Sequence, residues 1–291
     1  MDVRKVPATA GAEWLLGGFM LLRRSPGGFG LLALSYAALW LTVNGLAQAV
    51  PALLAPLQLT FFLIGPLLLA GMIFAAREVD EGRSAAPAHL LAALRTGKAA
   101  RLVSTVLPQL ALMVLCAILL FVVVGAEHIE NLLKLFTKLQ AQAESQIPVD
   151  PSEFANIPFG RLFVWMLLVF GVGLAAFLFT FTLVPDMLFT DTRLVQGMAR
   201  CFRVCSANLG ALVVFLVLGF VVVMAIGFGF VLFSQIAMLI AGQTGLLLAN
   251  AAFNGLMTVF ASGVMYFAWK QLLGDGSPAP QSPSASTGIE V

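Results

Sequence analysis

Residues 14–28 read WLLGGFMLLRRSPGG: a mostly apolar run, two arginines, Pro-Gly-Gly, and then another apolar run. How this stretch is read decides the topology. A secretory signal carries its positive charge ahead of the apolar core and a small-residue cleavage site behind it. Here Arg23 and Arg24 follow the core, and a full-length apolar run comes next. The stretch is also too short to cross a membrane. About nine apolar residues reach roughly 14 Å as a helix, against a hydrocarbon layer of about 30 Å. It reads as a short amphipathic helix lying in the interface, with Pro26, Gly27 and Gly28 turning the chain into the membrane.

The rest of the chain supplies the membrane. Of 291 residues, 60% are hydrophobic and only 10% charged, with a mean hydropathy of +0.99. Soluble domains carry about 25% charged residues, so this chain cannot wet its whole surface and must face lipid. Six runs reach the ~20 apolar residues that a crossing helix needs: 27–48, 53–75, 102–125, 162–189, 211–241 and 245–269. Period-2 alternation in short blocks is absent, which argues against an outer-membrane barrel. The expected fold is an all-α integral membrane protein: six transmembrane helices in a polytopic domain over 1–273, and a tail over 274–291. That tail, GDGSPAPQSPSASTGIEV, has almost no apolar bulk and is expected to be disordered.

Charge sets the expected orientation. Thirteen of the 16 lysines and arginines fall in segments 1–26, 76–101, 190–210 and 270–291. Lys134, Lys138 and Arg161 lie on the other side, in or just after the one long connector, 126–160, which also carries Glu127, Glu130, Glu144, Asp150 and Glu153. The positive-inside rule then places both termini in the cytoplasm. The basic face suits anionic lipid headgroups and gives no sign of nucleic-acid recognition.

The opening pattern recurs. GFMLLRRSPGGFGLL, AHLLAALRTGKAARLV and GMARCFRVCSANLGALV each place a bulky apolar residue before arginine (Leu22–Arg23, Leu94–Arg95, Phe202–Arg203), then run into a span. Arg23 and Arg95 are 72 residues apart and Arg95 and Arg203 are 108; the excess nearly equals the long connector. This spacing suggests a threefold internal repeat, each unit an in-plane cytoplasmic helix followed by two spans. The plainer alternative is three unrelated basic loops. In the third in-plane helix, Leu194, Val195, Met198, Cys201, Phe202 and Cys205 form an apolar stripe opposite Arg193, Gln196, Arg200 and Arg203.

Chemistry is sparse. His89 and His128 are expected on opposite sides of the membrane, and no catalytic or phosphate-binding motif is present. Cys201 and Cys205 could share a metal but lack further ligands nearby, so no enzyme, cofactor or metal site is expected. Asn44, Gln48, Gln109, Asn250 and Asn254 are polar residues within spans. They either line a path or hold the bundle by interhelical hydrogen bonds. No Asp, Glu or Lys is expected at mid-membrane depth. Asp186, after Pro185 at the end of a span, is expected to pair with Arg203, and Pro66 and Pro185 to break their helices. Arg23, Arg24, Arg95, Arg200 and Arg203 are the candidate headgroup or partner contacts. In the long connector, Ile129, Leu132, Leu133, Phe136 and Leu139 recur at helical spacing. Segment 127–147 therefore either rests on the outer leaflet or covers the bundle, or docks a periplasmic or membrane partner.

VPATAGAEWLLGGFMLLRRSP and GPLLLAGMIFAAREVDEGRSAAPAHLLAALRTGK, within residues 3–105, resemble an uncharacterised family of six-span bacterial inner-membrane proteins. The resemblance implies an inner-membrane location and transfers no catalytic residue. Two functions fit the whole reading. One is a non-enzymatic scaffold or envelope-associated factor that binds lipid headgroups or protein partners. The other is a small transporter or lipid-moving protein with a path between repeats, near Asn44, Asn250 and Asn254.

Overall fold

A computed structural model describes residues 4–144, 154 and 157–274; the expected disorder of 274–291 and the end of segment 127–147 fall largely outside them. The described residues are all helical or irregular, with no strand. Five helices are long and apolar enough to cross a membrane, and large side chains such as Val122, Phe170 and Phe228 are at least 70% exposed along them. Exposure of that much apolar bulk is at odds with water and suits lipid. This is a multi-pass membrane protein.

The chain forms two compact units. The first comprises residues 1–106 and 178–291. It opens with α1, Ala10–Arg24, and α2, Pro26–Ala49, which starts on a proline pre-set for the first helical turn. Val50 is extended, as the residue before a proline tends to be, and α3 follows over Leu54–Asp80. Tyr36 and Phe61 pair across α2 and α3 with ring centroids 6.0 Å apart. Pro66 sits inside α3 without interrupting it. The expected break occurs only at Pro185. The helix ending at Thr180 stops just before Phe181, whose carbonyl, four residues ahead of the proline, the ring would meet in a continuous helix, and a new short helix begins at Leu183.

α1 is packed on protein along one side. Trp14 and Leu21 are fully buried while Leu16 and Phe19 are more than half exposed, so one apolar face is turned onto protein and the other outward. The double glycine explains the inward face. A β-carbon at Gly18 would lie 2.7 Å from Val264 Cγ2, and one at Gly263 would lie 3.1 Å from Gly18 Cα. Two backbones can approach this closely only where side chains are missing.

The second expected in-plane helix is not one continuous helix. Residues Pro87–Leu91 form a 3₁₀ turn, α4 covers only Ala92–Arg95, and Gly97, with φ +68°, ends it before α5, Ala99–Val103. Only glycine takes that backbone region cheaply. The third expected helix is present as α10, Leu194–Ala207, preceded by α9, Leu183–Phe189.

The last helix, α11, spans Leu209–Leu272 but is not straight. Gly242 has φ +59° and ψ −143°, outside the helical region. Phe230 and Phe253 stack with centroids 4.0 Å apart; a continuous helix would hold them about 34 Å apart. The chain therefore reverses at Gly242 into two antiparallel arms, 209–241 and 243–272. The first arm carries the most exposed apolar residues, Leu239 and Ile240, beside that reversal.

The second unit, residues 107–177, contains most of α6 (Val106–Val123), α7 (Ala126–Glu144) and most of α8 (Phe159–Thr180). Arg161 donates to the Val124 carbonyl at 3.2 Å and Trp165 to the Cys116 carbonyl at 3.2 Å. Along α7, Leu133 and Phe136 are exposed on one side, and Glu130 pairs with Lys134 at 2.6 Å on the other.

Candidate functional site

Polar side chains in the first unit converge on the last turns of α11. Asp80 is the final residue of α3, where the partial negative charge of the helix end disfavours a carboxylate. Three groups offset it. Lys270 Nζ lies 2.7 Å from Asp80 Oδ2, the Tyr266 hydroxyl donates to the same oxygen at 2.9 Å, and Arg24 approaches Oδ1 at 3.9 Å. The Asp80 side chain is only 7% exposed, so these partners are what makes its burial tolerable. One turn of the same helix also ties down α1: Trp14 Nε1 donates to Gln271 Oε1 at 2.7 Å, and Gln271 Nε2 donates to Glu13 at 2.8 Å.

Trp269, on the next position, reaches a second buried carboxylate. Its Nε1 donates to Asp186 Oδ1 at 3.4 Å. Asp186 is fully buried, and its Oδ2 faces the guanidinium of Arg200 at 3.3 Å. This corrects the expected pairing: the partner of Asp186 is Arg200, while Arg203, one turn further along α10, is exposed. Oδ2 meets Arg200 by charge without an aligned hydrogen bond. Arg200 instead donates to Thr192 Oγ1 at 2.8 Å, and Thr190 Oγ1 donates to the Asp186 carbonyl at 2.6 Å. The bond between the two threonine hydroxyls must then run from Thr192 to Thr190, because Thr190 has spent its only proton. The connector 190–193 is further held by Lys98, which donates to the carbonyls of Leu188 and Thr190. Arg101 pairs with Asp191 at 3.3 Å. Phe189 packs between Trp269, at 4.7 Å between centroids, and the Arg77 guanidinium, at 5.2 Å from its ring.

α10 has three faces where the sequence suggests two. Gly197, Cys201, Val204 and Cys205 are buried against protein. Gln196, Ala199, Arg200 and Arg203 border an open depression of about 510 Å³, closed on its other edge by Asp191 and Thr192. Between these lie Val195 and Phe202 of the expected apolar stripe, 76% and 40% exposed. The two thiols sit 3.9 Å apart beneath this surface. The hydrogen bond from Cys205 to Cys201, together with burial, pushes the Cys205 thiol well above its ordinary range. Thr182 donates from both its backbone and hydroxyl to Cys201. Among the described residues no three His, Cys, Asp or Glu side chains are grouped to hold a metal ion.

The other candidates are dispersed. Arg23 and Arg95 are exposed at the ends of α1 and α4. Asn250 Nδ2 donates to the Leu246 carbonyl and Asn254 Nδ2 to the Asn250 carbonyl, each four residues back in its own helix. Neither forms the expected interhelical bond. Asn44 also donates within its helix, to Trp40, and accepts from Gln58 of α3 at 3.3 Å. Gln48 is exposed at the end of α2, and Gln109 is exposed on α6 in the second unit.

Sequence reasoning overlooks Asp80, Gln271, Glu13 and Asn208. Asn208 accepts from the Val6 amide and donates to the Arg4 carbonyl, both at 2.8 Å. Their signal is a polar residue at the exact edge of an apolar run, where it looks solvated. Compared with known proteins, the chain matches no family model, no curated protein and no solved structure.

Proposed function

We propose that this is a six-span, non-enzymatic protein of the bacterial inner (cytoplasmic) membrane, with both termini cytoplasmic. Its role is that of a scaffold or envelope-associated factor that binds anionic lipid headgroups or protein partners through its basic helix ends. The six-span count rests on treating the two arms of α11 as separate crossings. Short helices then precede a pair of long ones three times over, which supports the threefold repeat and the resemblance to six-span inner-membrane proteins. The observation that carries the function is the surface of α10, where arginines border an open depression beside exposed apolar side chains. That combination suits the boundary between headgroups and acyl chains. The reading as a transporter has less support, because Asn250 and Asn254 are satisfied by their own helix.

Two experiments test this. Native mass spectrometry of the full chain, purified from phosphatidylglycerol-containing membranes, should show retained anionic lipid. A variant with Arg23, Arg24, Arg95, Arg200 and Arg203 all changed to Gln should lose most of it; equal retention would refute the reading. Orientation is tested by single cysteines. Ser84→Cys, exposed next to the buried Ala85, should resist an impermeant thiol reagent in intact spheroplasts, and Lys134→Cys should react. The opposite labelling would invert the topology.

A further inference from the structure

We infer that the α10 depression is a binding site for one phosphate group, that of an anionic phospholipid whose acyl chains lie over Val195 and Phe202. This rests on the headgroup reading above and gives it one location and one chemistry.

The site is made by helix phase. At roughly 100° per residue, positions 196, 199, 200 and 203 share one side of α10, 195 and 202 the adjoining side, and 197, 201, 204 and 205 the side packed on protein. Guanidinium groups one turn apart match the oxygens of a phosphate better than ammonium groups would, because each presents a planar pair of donors. Two carboxylates lie near. Asp191, 89% exposed, stands between Lys98 at 3.7 Å and Arg101 at 3.3 Å, so its charge is already offset. Asp186 is behind Arg200, fully buried, and draws on one side of that guanidinium. Arg200 is thus shared between a fixed internal anion and the depression, and Asp186 weakens the site while it orients the arginine.

Position favours a lipid over a free anion. α10 links the end of one apolar helix, at Phe189, to the start of another, at Leu209, so it cannot lie far from the membrane boundary. Its exposed Val195 and Phe202 would meet water if the ligand were a soluble phosphate. Phe202 is further stacked on Phe179, centroids 4.5 Å apart, which fixes that apolar side next to the basic one.

The test uses the full chain in nanodiscs of phosphatidylcholine with a minor fraction of phosphatidylglycerol, with retained lipid counted by native mass spectrometry. Arg203→Gln, at an exposed position, should lower phosphatidylglycerol occupancy about tenfold, as expected for one charge-assisted contact to phosphate. Asp186→Asn should raise it, since Arg200 then faces a neutral amide; a purely structural role for Asp186 would not strengthen binding. Arg200→Gln strands a buried carboxylate and is not relied upon. Unchanged phosphatidylglycerol occupancy in both variants overturns the site. If the five-arginine variant loses lipid while Arg203→Gln does not, this inference fails and the general headgroup reading stands. If both retain lipid, both fail. A parallel titration of inorganic phosphate in detergent separates the sources: binding there without phosphatidylglycerol retention in nanodiscs would overturn the lipid assignment.

Discussion

Where α11 begins and ends, its polar side chains reach across to other helices; around Gly242, where it reverses, they bond to their own backbone or stay exposed. At the first place Tyr266 and Lys270 hold Asp80 of α3, Trp269 holds Asp186 of α9, and Gln271 joins Trp14 and Glu13 of α1. Asn208 meanwhile ties in the chain at Arg4 and Val6. Toward the second place, Asn250 and Asn254 donate to carbonyls one turn back, and Gln243 and Thr244 are exposed. Apolar helices gain little from burying leucine against leucine when lipid offers the same contact. Directional polar contacts are then what sets which helices pair and at what register. This protein concentrates them at one end of the bundle, the same end that carries the proposed lipid site, and Trp269, Asp186 and Arg200 form the link between the two.

Five perturbations sharpen or break that contrast, all read by unfolding of the full chain in detergent. Asp80→Asn should have the largest effect, about 3 kcal/mol, since it leaves Lys270 with an uncompensated charge in a mostly buried position. Gly255→Val should cost about 2 kcal/mol by overpacking, because its β-carbon would sit 2.4 Å from the Ala33 carbonyl oxygen. Trp14→Phe keeps most of the ring but strands Gln271 Oε1, and should cost about 1 kcal/mol. Glu81 should contribute a small, salt-sensitive amount. Hydrogen bonds from Arg77 and Arg83 hold its carboxyl below the usual range. Its contribution is therefore present above the unfolded carboxylate range and lost as pH falls through the lowered folded value. Asn254→Leu should change stability by less than ~0.5 kcal/mol, as its side chain is exposed and bonded only locally. A large loss from that last change would erase the contrast.

Hydropathy and periodicity are enough to place the long apolar helices and a helix in the long connector, because apolar length and 3.6-residue spacing are local properties. The site was legible in part. Asp186 stands out as a carboxylate beside a proline in an apolar run, but its partner does not. Arg200 and Arg203 differ by one turn and about 60° of helix phase, and only the 190–193 connector decides which of them faces α9. The burial of Trp14 is hidden for a related reason: a tryptophan before an apolar run and two arginines has the composition of an interfacial helix. The Gly17–Gly18 pair that lets it pack inward is meaningful only opposite Gly263 and Phe267, some 245 positions later in the chain. Asp80 does not stand out because a carboxylate at a span end looks solvated, and Lys270 is 190 residues away.

The most direct measurement is a pair of double-mutant cycles in one detergent: Asp80→Asn with Lys270→Gln, and Asn44→Leu with Gln58→Leu. A coupling of about 1.5 kcal/mol or more is expected in the first, within the range for contacting charged residues, and close to none in the second. Additive effects at Asp80 and Lys270, or stronger coupling at Asn44 and Gln58, would contradict this expectation.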